Sequence, residues 1–480
     1  MSAPNCLRCL VRPSPTLSVS ASQHASRRIA PIALSRAATF STTQPAAAAD
    51  KGGPQHIRAG KKMKLGKFKK NKVADRGKPP LPGERKAYRK RITLSNDNAL
   101  PVPWLTDMGP GDLLDPGNVA KVMSLPAGVQ DQLRAIEAFK PTQCWNMFRK
   151  PSVLVRKETV DMMGRIQKAV ADNKTARLVL TGEKVTGKSL MLLQAMAHAY
   201  LNDWIVIHVP DAQELTTACT EYAPIPGTDP VQYMQQNYML KLIQNIRRAN
   251  ENALSKTYTV TAHPELPQNI TANTSLLALC QTAKEPEGAW LVFQALWNEL
   301  TAKDAQRPPI LFALDGLAHV MKVSDYRSPS FELIHSHDLA FVRLFADLLN
   351  GSAKFPGGGA VLAATSRSNA PRVPSMELAL SQREAEQAGA GAGAEAAETP
   401  KRDPFFRGYD DRVEAALRSV DVLRVNGASK LEARSLMEYW AASGVLRATV
   451  DEKLVAEKWA LGGNGVLGEI ERAALLTMRI

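Results

Sequence analysis

A chain of 480 residues, 44% of them hydrophobic, is long enough to bury one large α/β core and carry an appendage besides. No stretch approaches the roughly eighteen uninterrupted apolar residues that a membrane-spanning helix needs, so a helical membrane protein is excluded. The formal charge of +15 is unevenly placed: residues 51–92 carry sixteen Lys or Arg against Asp75 and Glu84, whereas residues 93–480 sum to −3. The basic character therefore belongs to an arm in front of a nearly neutral body.

The first 45 residues are rich in Ser and Ala and lack acids, with Arg8, Arg12, Arg27, Arg28 and Arg36 spaced among small and apolar side chains. That is the composition of a mitochondrial transit peptide, with Arg36–Gln44 as its processing region. A secretory signal would need a compact apolar centre, and none is present. The bland alternative is an N-terminus without address. Cys6 and Cys9 form a lone CxxC with no second pair to complete a zinc site. With Cys144, Cys219 and Cys280 they are too few and too scattered for a disulfide framework, so those three read as reduced thiols.

Residues 46–99 follow as a basic arm, since Lys, Arg, Gly and Pro with few large apolar side chains cannot bury enough surface to fold alone. Its centre carries Lys61, Lys62, Lys64, Lys67, Lys69, Lys70 and Lys72, and the arm as a whole, with Phe68 and Tyr88 interleaved, suits RNA. The competing reading is a solvated polybasic linker.

The globular body is expected from about Leu100, with a nucleotide-binding domain over 100–420 and a C-terminal strand plus helical region over 421–480. Strands are predicted at Arg177–Thr181, Trp204–Val209, Ile310–Asp315, Ala360–Thr365 and Val420–Val425. Helices are predicted at Lys188–Leu201, Trp290–Leu300 and Leu339–Leu349, the last stopped by Asn350 and Gly351. Residues 223–275 read as loops between helical patches, and 376–402 as a low-complexity loop. Strands alternating with helices argue for a parallel sheet covered by helices on both faces.

Gly182, Glu183, Lys184, Val185, Thr186, Gly187, Lys188 and Ser189 spell a full G-x4-G-K-[ST] loop between a strand and a helix. Backbone N–H groups of such a loop point at a β-phosphate, the Lys188 ammonium reaches the β- and γ-phosphates, and the Ser189 hydroxyl ligates Mg²⁺. The usual partner is an apolar strand ending in Asp, and Asp315 fits as holder of a Mg²⁺-bound water. Thr365 and Ser366, at the end of another strand, are candidate sensors of the γ-phosphate. His208 reads as a core histidine, and Asp211 as a loop cap no less than a chemical group. Gly316 stands where hydrolytic relatives of this loop place Glu, so turnover is expected to be slow or nil. No NKxD is present to read guanine, and no DxxG follows the loop, which disfavours a GTPase of the translation-factor type.

The loop, DWIVIHVPDA and LFALDGLAHV occur in this order between MFRKP and SLMEYWAASGVL. On these segments the chain, from about Phe139 to Ile480, resembles the death-associated protein 3 family of GTP-binding proteins of the mitochondrial small ribosomal subunit. The resemblance implies an AAA-related P-loop NTPase module with a small helical C-terminal lid-like domain. It also implies GTP or GDP with Mg²⁺ as ligands (ATP remains open), and small-subunit rRNA and other mitochondrial ribosomal proteins as partners. The family loop usually has Gly at the place of Val185, whose β-branch disfavours left-handed backbone. Ser429 and Glu432 form a capping box that opens the C-terminal helix, closed by Gly444. Arg472 could sense phosphate, although a solvent-facing role fits it better. The reading that follows is a structural ribosomal protein holding a nucleotide; the alternative is an active AAA-type ATPase or GTPase remodelling a protein or RNA substrate.

Overall fold

The computed structural model describes residues 92–476 apart from 267, 303–306, 368–369 and 390–398, all of them within one compact unit. The transit segment, the seven arm lysines from Lys61 to Lys72, and Cys6 and Cys9 lie outside the described residues.

Five parallel strands form the central sheet: β1 (Thr175–Gly182), β2 (Ile205–Val209), β3 (Ile310–Asp315), β4 (Gly359–Ala364) and β5 (Asp421–Val425). Their order across the sheet is β5-β1-β4-β3-β2. All five strands were legible within two residues because a parallel sheet buried on both faces demands near-continuous apolar runs. On β3, Phe312 and Leu314 enter one hydrophobic cluster, and Leu311 and Ala313 enter the other.

The helices flanking the sheet are α1 (Lys157–Ala171), α2 (Lys188–Leu201), α3 (Gln236–Ala249), α4 (Pro286–Leu300), α5 (Ala340–Asn350) and α6 (Pro374–Gly389). One layer closes over Phe312, whose ring meets Phe345 of α5 edge-on at 5.0 Å between centroids. The opposite layer is centred on α2, buried almost all round because it is apolar all round. Gly351 ends α5 in the left-handed conformation, at φ +92.

Beyond β5 come α7 (Lys430–Ala442) and α8 (Glu452–Leu461). The Ser429 hydroxyl accepts the Glu432 N–H at 3.2 Å while the Glu432 carboxylate accepts the Ser429 N–H at 2.7 Å, as the capping box requires. Gly444 follows with φ +75. Met437, Tyr439, Trp440 and Ile470 of this region pack on Val122 and Leu154 of a small three-stranded sheet ahead of α1.

Four expectations need correcting. Leu94 is 3% exposed and sits in the core, so the body starts before residue 100. The stretch 376–402 is not loop throughout: α6 runs to Gly389, held by buried Met376, Ala379 and Leu380, which share one helical face. The boundary at 421 cuts the central sheet, because β5 pairs with β1. Within 223–275, α3 is longer than a helical patch and supplies Leu242, Ile243 and Ile246 to the core.

A buried ion pair closes α4. Glu299 accepts from Arg307 at 2.7 Å, from the Thr261 hydroxyl at 2.6 Å, and from the N–H groups of Val260 and Thr261. Burial alone would raise this carboxyl; the donors, with His263, outweigh it and hold it at about 2 against an ordinary 4.5. Its ionised form is therefore favoured by folding: the stabilisation is present above pH 4.5 and is lost as pH falls towards 2. Urea unfolding across that window should show a steeper loss in the native chain than in Glu299→Gln. Equal slopes would remove Glu299 from the acid response.

Candidate nucleotide-binding site

The carboxyl ends of β1, β4 and β3 lie side by side, with Leu180 and Asp315 in register with Ala364 between them. Ligands of parallel sheets gather at this edge. Strand β1 ends at Gly182, φ +137, where a Cβ would lie 2.4 Å from the Val425 carbonyl oxygen of β5. Only glycine lets the two strand ends approach so closely. The loop then turns through Gly187, φ +100, which caps α2.

Val185 is not kept from the left-handed region, contrary to the expectation from its β-branch: its φ is +53. Such a residue carries roughly 1–2 kcal/mol of strain and persists only where its surroundings hold it. The Gly468 N–H donates to the Val185 carbonyl at 3.1 Å, and a Cβ at residue 468 would meet the Val185 Cβ at 2.7 Å. The C-terminal helix Leu467–Glu471 thus clamps the loop from above.

From below, Arg156 is 2% exposed and donates to the carbonyls of Thr186 at 3.0 Å and Asn426 at 2.9 Å. It ties the loop to the end of β5. The Thr186 hydroxyl donates to the Glu183 carbonyl at 3.1 Å, closing the loop on itself. Lys188 is 6% exposed, and its ammonium donates to the carbonyls of Gly182, at 3.1 Å, and Glu183. Burial, then the nearby Arg367 charge, lowers its pKa to about 8, with Asp315 and Glu183 opposing.

Asp315 ends β3 at 5% exposure. Its carboxylate accepts from the Lys140 ammonium, which also donates to the Ser189 hydroxyl at 3.2 Å. The two residues assigned to Mg²⁺ are therefore brought together, with a side-chain cation between them. Mg²⁺ does not fit at that point while Lys140 holds it. Among the described residues no group of three or more His, Cys, Asp or Glu could hold a metal.

The Thr365 hydroxyl donates to the Leu180 carbonyl at 3.0 Å and so ties β4 to β1, while Ser366 lines the cleft beside it. Arg472 pairs with Glu469 at 2.8 Å on the surface. His208 lies 3.2 Å from the Ala313 carbonyl inside the core, and Asp211 accepts the Gln213 N–H at 3.2 Å as a loop cap. Cys280 is buried, its thiol pushed up to about 12, and Cys219 is exposed.

The cleft above the loop measures about 290 Å³ and runs between Phe148, Leu436, Tyr439 and Trp440 on one wall and the loop on the other. The Phe148 and Tyr439 rings lie 5.1 Å apart. Lys140, Lys184, Lys188 and Arg367 line it, so positive charge prevails. Lys140, Arg156 and Arg367 were not singled out from the sequence, because no motif spacing links them to the loop.

A family model described as mitochondrial ribosomal death-associated protein 3 matches residues 153–473. Over its full length the chain is 58% identical to the small ribosomal subunit protein mS29 of Neurospora crassa, covering all of that protein. It is 25% identical to the protein of that name from Schizosaccharomyces pombe, across 70% of this chain and 67% of the relative. The Mus musculus protein of that name is 29% identical over 110 residues, 23% of this chain and 28% of the relative.

Proposed function

Because the chain belongs to the mitochondrial ribosomal death-associated protein 3 family and so to the small subunit of the mitochondrial ribosome, we propose that it holds a purine nucleotide there as a structural ligand. Other proteins of that subunit and its rRNA are the partners, the rRNA along the basic arm. Among the described residues no helix is long and apolar enough to cross a membrane.

One observation carries the nucleotide reading. The G-x4-G-K-[ST] loop opens α2 at the carboxyl edge of the parallel sheet, with an Asp-ended strand one position removed across β4. Loop N–H groups, the N-terminal dipole of α2 and the Lys188 and Arg367 cations all favour an anion at that edge. The aromatic wall of Phe148, Tyr439 and Trp440 offers a purine an apolar face. Guanine is the base that the family resemblance implies, with adenine as the alternative.

The site is read as one that binds without turning over. Gly316 follows Asp315 at φ +89, a backbone conformation that a glutamate would adopt only under strain. No carboxylate therefore stands directly after Asp315 to orient an attacking water. Full-length protein, denatured after purification, should release close to one nucleotide per chain. With added GTP or ATP it should turn over less than about once per minute, far below the usual enzyme range. Multiple turnovers per minute, abolished by Asp315→Ala, would put the remodelling motor first; a chain that carries and takes up no nucleotide would end the binding reading.

A further inference from the structure

We propose that Lys140, held between Ser189 Oγ and Asp315 Oδ2, supplies the charge that a divalent cation brings to this place in a phosphate-binding loop, so that the protein binds a nucleoside diphosphate without Mg²⁺. The inference rests on the nucleotide reading above and concerns the same cleft.

Three features of the structure support it. The first is position: the ammonium contacts the two side chains, Ser189 and Asp315, that the motif assigns to the ion. The second is that its backbone is fixed. Phe139 beside it is 2% exposed and packs edge-on against Trp145 at 5.2 Å. The Gln143 side-chain oxygen accepts both the Lys140 N–H, at 2.8 Å, and the Trp145 indole N–H, at 2.9 Å. Lysine side chains on mobile loops wander, whereas this one leaves a pinned turn and spans a short gap into the cleft.

The third is the need of the partner. The Asp315 carboxylate is 5% exposed, and a buried carboxylate requires a cation beside it. Lys140 meets that need in the protein itself, so the cation stays whether or not phosphate arrives. Mg²⁺ at the same oxygens would face a like charge at contact distance, and it gives up its own water reluctantly. For the ion to enter, Lys140 must withdraw from Asp315. With Lys184, Lys188 and Arg367 lining the same cleft, a diphosphate would find four side-chain cations there. Lys140 is thus a binding residue facing phosphate, and Asp315 and Ser189 hold it in place.

Full-length protein stripped of nucleotide and titrated with fluorescent mant-GDP and mant-ADP, in Mg²⁺ buffer and in EDTA, tests this directly. The better-bound probe should show Kd values that agree within about threefold between the two buffers. In Lys140→Met, which keeps the stem and removes the charge, EDTA should weaken binding at least about tenfold relative to Mg²⁺. If that variant misfolds, the native chain still decides: with mant-GDP or mant-ADP present, whichever binds better, it should immobilise no Mn²⁺ by electron paramagnetic resonance. A native Kd that worsens tenfold in EDTA, or one tightly bound Mn²⁺ per chain, overturns the proposal and leaves the nucleotide reading intact. Failure of both probes in both buffers would overturn the two together.

Discussion

Replacing Lys188 by Ala is expected to weaken nucleotide binding by about a hundredfold or more, since hydrogen bonds to charged groups contribute roughly 1.5–3 kcal/mol each. In the structure the ammonium is bonded to the loop carbonyls of Gly182 and Glu183, so it already stands where the loop would wrap a β-phosphate. Lys188→Met keeps the aliphatic stem against the loop and should lose affinity to a similar degree, which separates lost charge from lost packing. The environment also sets a pH dependence. Burial and Arg367 lower the Lys188 pKa to about 8, and phosphate, which favours the charged form, raises it again on binding. Above pH 8 the site must therefore take up a proton to bind, and Kd should worsen by up to tenfold per pH unit until the pKa of the bound state is reached. Below pH 8 that dependence should flatten. Both substitutions should abolish it. A variant that keeps nucleotide at native occupancy, or a native Kd that is level from pH 7 to 10, would remove Lys188 from the phosphate site.

The parts of the site that lie along one strand–loop–helix unit were legible in the sequence, and the parts assembled by the fold were not. Gly182 to Ser189 and Asp315 could be placed because each sits at the end of an apolar run that can only be a buried strand. Thr365 was placed at the cleft on the same ground, but its hydroxyl goes to the Leu180 carbonyl, a bond between strands that no spacing reveals. Lys140 reaches Asp315 from 175 residues away in sequence, and Arg156 reaches Asn426 from 270. Nothing local marks either among the many lysines and arginines of this chain. Val185 shows the converse: its backbone preference was correctly read as unfavourable for the left-handed region, and the clamp from Gly468 overrides it. The helix α6 was hidden because composition outweighed periodicity: the Ala- and Gly-rich end of the segment masked a face made by Met376, Ala379 and Leu380.

Deleting residues 51–92 behind an intact import signal is expected to weaken incorporation into the small subunit and to flatten the salt dependence of RNA binding. The segment carries a net +14 in 42 residues, far more than import requires, and the chain that follows sums to −3. Long-range electrostatic attraction to phosphate is then expected chiefly from the arm, because the body carries no net positive charge. Each phosphate contact releases condensed counterions. If six of the sixteen basic residues meet phosphates, log affinity should fall against log salt with a slope of roughly −4 to −5. Between 50 and 200 mM salt that amounts to a loss of about 250- to 1,000-fold. Phe68 and Tyr88 can add stacking on unpaired bases, a contribution that salt leaves largely untouched. Phe68→Ala with Tyr88→Ala should therefore lower affinity at every salt concentration without altering the slope. Nucleotide occupancy should be unchanged in the deletion, since Arg156, Lys188, Asp315 and Lys140 all belong to the body. The measurement is a salt series of binding to a small-subunit rRNA fragment, alongside sedimentation of the deleted chain with the subunit. A deleted chain that joins the subunit normally and keeps its slope would mean that the arm is a solvated linker, and that the contacts with rRNA lie on the body.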